Sequence, residues 1–247
     1  MKTALVTGGS RGIGRATALL LAQQGYQVAV NYRQREAEAA EVVSLIRRQG
    51  GQAFSVQADI ADEEQVITLF NTLDQKGAVL NALVNNAGIL FQQTSIEGLN
   101  AERIHRVFAT NVTGTFLCCR EAVRRMSFQH GGQGGAIVNV SSAAARTGAP
   151  HEYLDYAASK GAMDTLTRGL ALEVAAQGIR VNAVRPGLIY TGMHADGGEA
   201  DRVNRIAPTL PMQRGGEPDE IARAILWLLS EAASYVTGTF IDAAGGR

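Results

Sequence analysis

The chain has 247 residues, with 23 basic against 23 acidic side chains, 46% hydrophobic and 19% charged residues. That balance excludes a disordered chain and leaves no basic footprint for nucleic acid, while the length permits one large core. No apolar run approaches the roughly 18 residues that cross a bilayer, and glycines with Arg11 interrupt the N-terminal apolar stretch where a signal peptide would continue, so a soluble, cytoplasmic protein is expected.

Short β-rich runs alternate with helical patterns along the whole chain. "TALVTG" (3 to 8) precedes a helix near 12 to 24, "QVAVNY" (27 to 32) one near 36 to 49, and "AFSVQAD" (53 to 59) one near 62 to 75. "ALVNNAG" (82 to 88) leads to one long helix within about 100 to 127, and "GAIVNVSS" (135 to 142) to a helix near 153 to 176. "IRVNAVRPG" (179 to 187) enters an irregular region and a helix near 217 to 230, and "GTFIDAAGG" closes the chain. Such alternation predicts an α/β fold of βαβ units: a doubly wound parallel sheet with helices on both faces, in one domain over 1 to 247. The only cysteines, Cys118 and Cys119, are neighbours in an apolar segment and read as reduced core thiols. The four histidines are scattered, so no metal site is expected.

Ligands of open α/β sheets sit beyond the carboxyl ends of the strands. The first such turn is "TGGSRGIG", where Gly8, Gly12 and Gly14 leave room for a pyrophosphate and the next helix offers free N–H groups. A plain tight turn would use the same glycines, but its place between a strand and a helix favours a dinucleotide. After the second strand an NAD site usually carries a carboxylate for the ribose; here "VAVNYRQRE" places Asn31, Tyr32 and Arg33 instead. Arg33 and Arg11 supply a guanidinium clamp for a 2′-phosphate, which favours NADP(H) over NAD(H); the alternative is two solvated surface arginines.

In "YLDYAASKGAMDTL" (153 to 166) Tyr156 and Lys160 are four residues apart, on one helix face with an axial separation of about 6 Å. Tyr153 is seven residues from Lys160, roughly 10 Å along the axis, which is beyond contact. A packed tyrosine beside a solvated lysine would give the same spacing. A phenol titrating near 10 is a poor base at neutrality; a nearby ammonium, with an oxidised nicotinamide adding to the effect, is expected to lower it by about two to three units.

Read together and in order, "TGGSRGIG", "NNAG", "NVTG", "IVNVSS", "YAASK" and "RPGLIYT" resemble the short-chain dehydrogenase/reductase family in its compact form of about 250 residues. The resemblance implies a Rossmann-type sheet of about seven strands, often a homotetramer, and a small carbonyl or alcohol substrate exchanging hydride with a nicotinamide. It places catalytic residues at Asn111, Ser142, Tyr156 and Lys160, with Ser141 as the rival serine. Tyr156 would act as acid or base, Ser142 would bind the carbonyl oxygen, Lys160 would also hold the nicotinamide ribose, and Asn111 would order a relay water. It implies cofactor contacts at Gly8, Ser10, Arg11, Gly12, Ile13, Gly14 and Arg33, then at Asp59, Ile60, Asn86, Ala87 and Gly88. Tyr156, Lys160, Pro186, Gly187, Ile189 and Thr191 complete that set. The segment from Ser142 to Tyr156 is one residue longer than in many members.

Specificity is expected in the loop near 190 to 216, with Gly197 and Gly198 as hinges and Met193, His194 and Ile206 lining a pocket. A 3-oxoacyl-acyl-carrier-protein reductase is one alternative, although "FQHGGQGG" and Gln177 are uncharged where that enzyme usually has basic residues; Arg124 and Arg125 are the available substitutes. A glucose or sugar dehydrogenase, sharing "VNYR" and "YAASKGA", is another. A non-catalytic NADP(H)-binding redox sensor is the alternative of a different class, disfavoured by the complete Asn/Ser/Tyr/Lys set.

Overall fold

A computed structural model describes residues 1–247. Seven strands, β1 (Lys2–Val6), β2 (Gln27–Tyr32), β3 (Gln52–Gln57), β4 (Val79–Asn85), β5 (Gly135–Val140), β6 (Ile179–Pro186) and β7 (Phe240–Ala243), form one parallel sheet in the order β3-β2-β1-β4-β5-β6-β7. The order reverses between β1 and β4, so the crevice beyond their carboxyl ends is where a ligand has room.

Side chains alternate across the sheet. Ala4 and Val6 of β1, with Val28 and Val30 of β2, enter a core cluster that also contains Ile221, Ile225 and Leu228. Leu5, Ala29 and Leu83 point into a second cluster on the opposite face, with Leu69, Phe70, Ala122 and Val174. A strand buried on both faces needs this continuous apolar run, which is why the segments read as uninterrupted hydrophobic stretches.

Helices α1 (Gly12–Gln23), α2 (Glu36–Arg48) and α3 (Glu63–Gln75) join the first four strands. Helix α2 starts with Glu36 and Glu38 and ends with Arg47 and Arg48, matching its dipole, and Asp62 caps α3 by accepting from Gln65 N at 3.1 Å. The single long helix expected within 100 to 127 is two: α4 (Ala101–Phe108) and α5 (Gly114–Met126), joined by a π-helical turn, Ala109–Thr113. Asn111 lies in that turn, and its side chain bonds the backbone of Ile89, just beyond β4.

A short helix α6 (Ala144–Thr147) precedes α7 (Leu154–Val174), which follows β5 and packs on β6. The 190 to 216 region is not an open loop: it folds into α8 (Met193–Asp196), α9 (Arg202–Ile206) and a 3-10 turn at Ala207–Thr209. Helix α10 (Pro218–Leu229) then opens on a capping box between Glu217 and Glu220 and packs against α1. No helix is long and apolar enough to cross a membrane.

Candidate active site

The glycine turn opens a cleft at the point where the strand order reverses. Gly8 and Gly12 have φ of 60° and 53°, which side chains rarely adopt, and a Cβ on Gly8 would lie 3.0 Å from Ala87 Cα. Thr7 Oγ1 accepts from the N–H groups of Asn86 and Ala87 at 3.0 Å each, and Asn86 Nδ2 donates to Thr7 O and Gly8 O at 3.0 Å each. The ends of β1 and β4 are thereby stapled side by side. Asn31 performs a similar task beyond β2, since its Oδ1 accepts from Gly8 N at 3.3 Å and its Nδ2 donates to Ala58 O at 3.1 Å.

The cleft has a volume of about 510 Å³. Gly8, Ser10, Arg11, Gly12, Ile13, Arg33, Asp59, Ile60, Asn86, Ala87, Gly88 and Thr191 all line it. Gly14 does not, and the space expected there for a pyrophosphate is already filled: a Cβ on Gly14 would lie 2.4 Å from Gly8 O, so this glycine lets α1 pack under the turn. Arg11 pairs with Asp196 of α8 across the cleft, and Arg33 lies 3.6 Å from Asp59. Both arginines therefore already face a carboxylate. Arg35 and Arg106, unremarked in the sequence, also line this cleft.

A second cavity of about 140 Å³ adjoins the first and shares Ile13, Asn86, Leu90, Thr191 and Met193 with it. Ser142, Tyr156 and Lys160 line it, together with Pro186, Gly187 and Ile189. Ser141 also borders it, but its Oγ donates to Asp164 Oδ1 at 2.6 Å, whereas Ser142 Oγ accepts only from Ala144 N at 3.1 Å. Lys160 is buried, donates through Nζ to Val140 O at 2.7 Å, and holds Nζ 5.6 Å from the centre of the Tyr156 ring.

The protein's own groups, taken without a nicotinamide, do not lower the phenol. Burial pushes Tyr156 up to about 12, and Ser142, by hydrogen bonding, draws it only part of the way back. Lys160 is itself brought down to about 8 by burial, opposed by the negative charge of Asp164. A desolvated ammonium that faces a carbonyl and the tyrosine ring does not offset the cost of burying a phenolate. At neutral pH the protein's own groups therefore keep Tyr156 protonated, as a proton donor.

Asn111 is fully buried and lines neither cavity. Its Oδ1 accepts from Ile89 N at 2.8 Å, and its Nδ2 donates to Ile89 O at 2.9 Å and Ser159 Oγ at 3.0 Å. The side chain thus clamps the backbone that follows "NNAG" to α7.

Met193 and His194 line the smaller cavity, as does Tyr153, but Ile206 turns away to pack on Leu188, Val203 and Leu210. Gly197 is a point of close approach and not a free hinge, because a Cβ there would lie 2.6 Å from Leu90 Cδ1 and 2.9 Å from the Tyr153 hydroxyl. Glu152 and Arg202 also line this cavity; fifty positions apart and in no motif, they gave no sequence signal. Arg124 and Arg125 lie near the end of α5, which abuts the start of β5 and thus the far end of the sheet from the cavity, and both pair with Glu121.

Comparison with known proteins places this geometry among relatives. The family described as enoyl-(acyl carrier protein) reductase matches residues 8–247. An uncharacterized oxidoreductase of Escherichia coli (strain K12) is 68% identical over 247 residues, covering 100% of both chains. Glucose 1-dehydrogenase 2 of Bacillus subtilis is 37% identical over 99% of this chain and 94% of its own, and a 3-oxoacyl-[acyl-carrier-protein] reductase of Staphylococcus aureus 38% over 99% and 97%. A short-chain dehydrogenase of Burkholderia cenocepacia, solved in complex with NADP, superposes with a TM-score of 0.89 at 36% identity, covering 99% of this chain and 97% of its own. With the matched sequence, the seven-stranded sheet and a tyrosine and lysine one helical turn apart, the chain belongs to the short-chain dehydrogenase/reductase family of oxidoreductase enzymes.

Proposed function

We propose that this enzyme interconverts a small carbonyl compound and its alcohol with NADP(H), using Tyr156 as the proton-transferring group. One observation carries the reading: the cavity lined by Ser142, Tyr156 and Lys160 shares a wall with the glycine-turn cleft. A bound nicotinamide supplies or accepts the hydride. Tyr156 gives its proton to the carbonyl oxygen as charge develops there, and Ser142 donates a hydrogen bond to the same oxygen. Lys160, next to Gly88 and close to both cavities, contributes positive charge and is the group within reach of a ribose.

The cleft suits a phosphorylated ribose. The Arg11–Asp196 and Arg33–Asp59 pairs are about two-fifths exposed on the arginine side, and such pairs contribute only about 0–1 kcal/mol, so a phosphate dianion exchanges for a carboxylate at little cost. The name of the Burkholderia relative, a complex with NADP, supports the same choice. The relatives named for glucose and for 3-oxoacyl chains show that this scaffold serves unlike substrates.

The test is a panel of carbonyls and alcohols assayed in both directions with NADPH/NADP and NADH/NAD, followed by nicotinamide absorbance. Turnover with a preference for the phosphorylated cofactor is expected. A tenfold preference for NADH, about 1.4 kcal/mol, would overturn the roles of Arg11 and Arg33. Tight cofactor binding with no turnover on any compound would instead identify a redox sensor.

A further inference from the structure

The catalytic cavity is lined by apolar groups such as Leu90, Ala149, Leu188 and Met193, yet it also contains the Glu152 carboxylate and two guanidiniums, those of Arg202 and of Arg247. Arg202, only 4% exposed, donates through Nη2 to Glu152 Oε2 at 2.6 Å and through Nη1 to Glu199 Oε2 at 3.3 Å, and lies 5.3 Å over the Tyr153 ring. Glu199 is fixed from its other side by Arg205 and by Gln93 Nε2 at 2.7 Å. Arg202 is thus held by two acids and an aromatic face. Glu152 has this one side-chain partner, and its second carboxylate oxygen accepts no bond from the chain.

The Glu152 side chain is about a quarter exposed, so this oxygen meets water in the free enzyme, and a substrate chain that fills the cavity must replace that water with a donor, because carboxylate lone pairs are costly to leave unmatched. We infer that the substrate carries a hydroxyl group on the short carbon chain beside its carbonyl, and that Glu152, oriented by Arg202, accepts that hydroxyl's hydrogen bond. This inference rests on the carbonyl–alcohol reading of the site. A methyl group in the same place would leave the carboxylate unsolvated, and a substrate carboxylate would meet a like charge. The cavity of about 140 Å³ fits a short hydroxylated chain, and the acid on its wall selects the hydroxyl.

Two pairs of near-isosteric ketones test this with purified enzyme and NADPH: 4-hydroxy-2-butanone against 2-pentanone, and 1-hydroxy-2-butanone against 3-pentanone. The wild-type protein should favour the hydroxyketone in kcat/KM by roughly tenfold or more in at least one pair, since a site built to bond a hydroxyl rejects the analogue lacking it. Glu152→Gln should bring that ratio to within about threefold. Should that variant fail to fold by circular dichroism, Glu152→Asp, which keeps the charge but shortens the reach, should give an intermediate ratio. Equal rates for both members of each pair in the wild type would overturn the inference while leaving the oxidoreductase reading intact. A preference undiminished in the Glu152 variant would also overturn it. Turnover of none of the four, nor of any other carbonyl, would remove the inference together with the reading beneath it.

Discussion

Burial sets the chemistry of Tyr156 before any neighbour does, raising the phenol to about 12. Tyr156→Phe removes the only phenol able to give a proton at this point of the cavity; kcat should fall by about a thousandfold, in the range of lost general acids, while NADPH binding measured by fluorescence is retained. Tyr153→Phe should cost only a few-fold, because that hydroxyl accepts from Gln93 at 3.1 Å and donates to Gly197 O at 3.4 Å and serves the cavity wall. Lys160 carries the opposite shift. Its folded value of about 8 lies below the 10.5 of the free group, so below pH 8 both folded and unfolded chains are protonated and the folded one carries a buried charge. Between about pH 8 and 10.5 the unfolded chain binds more protons, so this residue's contribution to stability rises with pH. That penalty at neutrality is on the order of 3 kcal/mol. Lys160→Met also leaves Val140 O without its donor, a loss that does not depend on pH. The unfolding free energy of the variant relative to wild type should therefore be most favourable below pH 8 and decline towards pH 10.5 in urea titrations. A flat difference would show that Lys160 is not desolvated.

At the level of elements, the π-helical turn and the glycine turn do the positioning. Asn111→Ala deletes three hydrogen bonds of 2.8 to 3.0 Å and leaves the part-buried backbone N–H and C=O of Ile89 without these partners. A loss of about 2–4 kcal/mol in urea unfolding is expected, with faster amide exchange at Ile89. Unchanged exchange would contradict the clamp. Gly14→Ala forces a Cβ to 2.4 Å from Gly8 O, so α1 must move off the turn; cofactor affinity should drop at least about tenfold even where the protein stays folded. The interruption between α4 and α5 falls in "ATNVTGT", a run mostly of weak helix formers that a reading of one continuous helix passes over. Within the turn, Asn111 is bonded to Ile89, 22 residues away.

At the scale of the whole molecule, the outward surface of α7 leaves open space at Gly161 and Gly169 and exposes Leu172, and Phe116 is half exposed on α5. The homotetramer expected from the family resemblance would cover side chains such as these on association. Light scattering should return four times the 26.2 kDa chain mass, and a monomer at micromolar concentration would reject the assembly. The charge balance of 23 against 23 makes no single-sign field that would oppose such packing.

The alternation of strands and helices, the glycine turn after β1 and the four-residue step from Tyr156 to Lys160 were legible in the sequence, since each depends on local periodicity or on what glycine alone permits. The seven strands start and end within a few residues of the apolar runs that announced them. Tertiary structure decided the rest. The partner of Arg11 is 185 residues away, that of Arg202 is 50, and Asn111 meets Ile89 across 22. The direction of the Tyr156 shift depends on how completely the fold removes water from the phenol, and burial is a property of distant segments brought together, which no local pattern encodes.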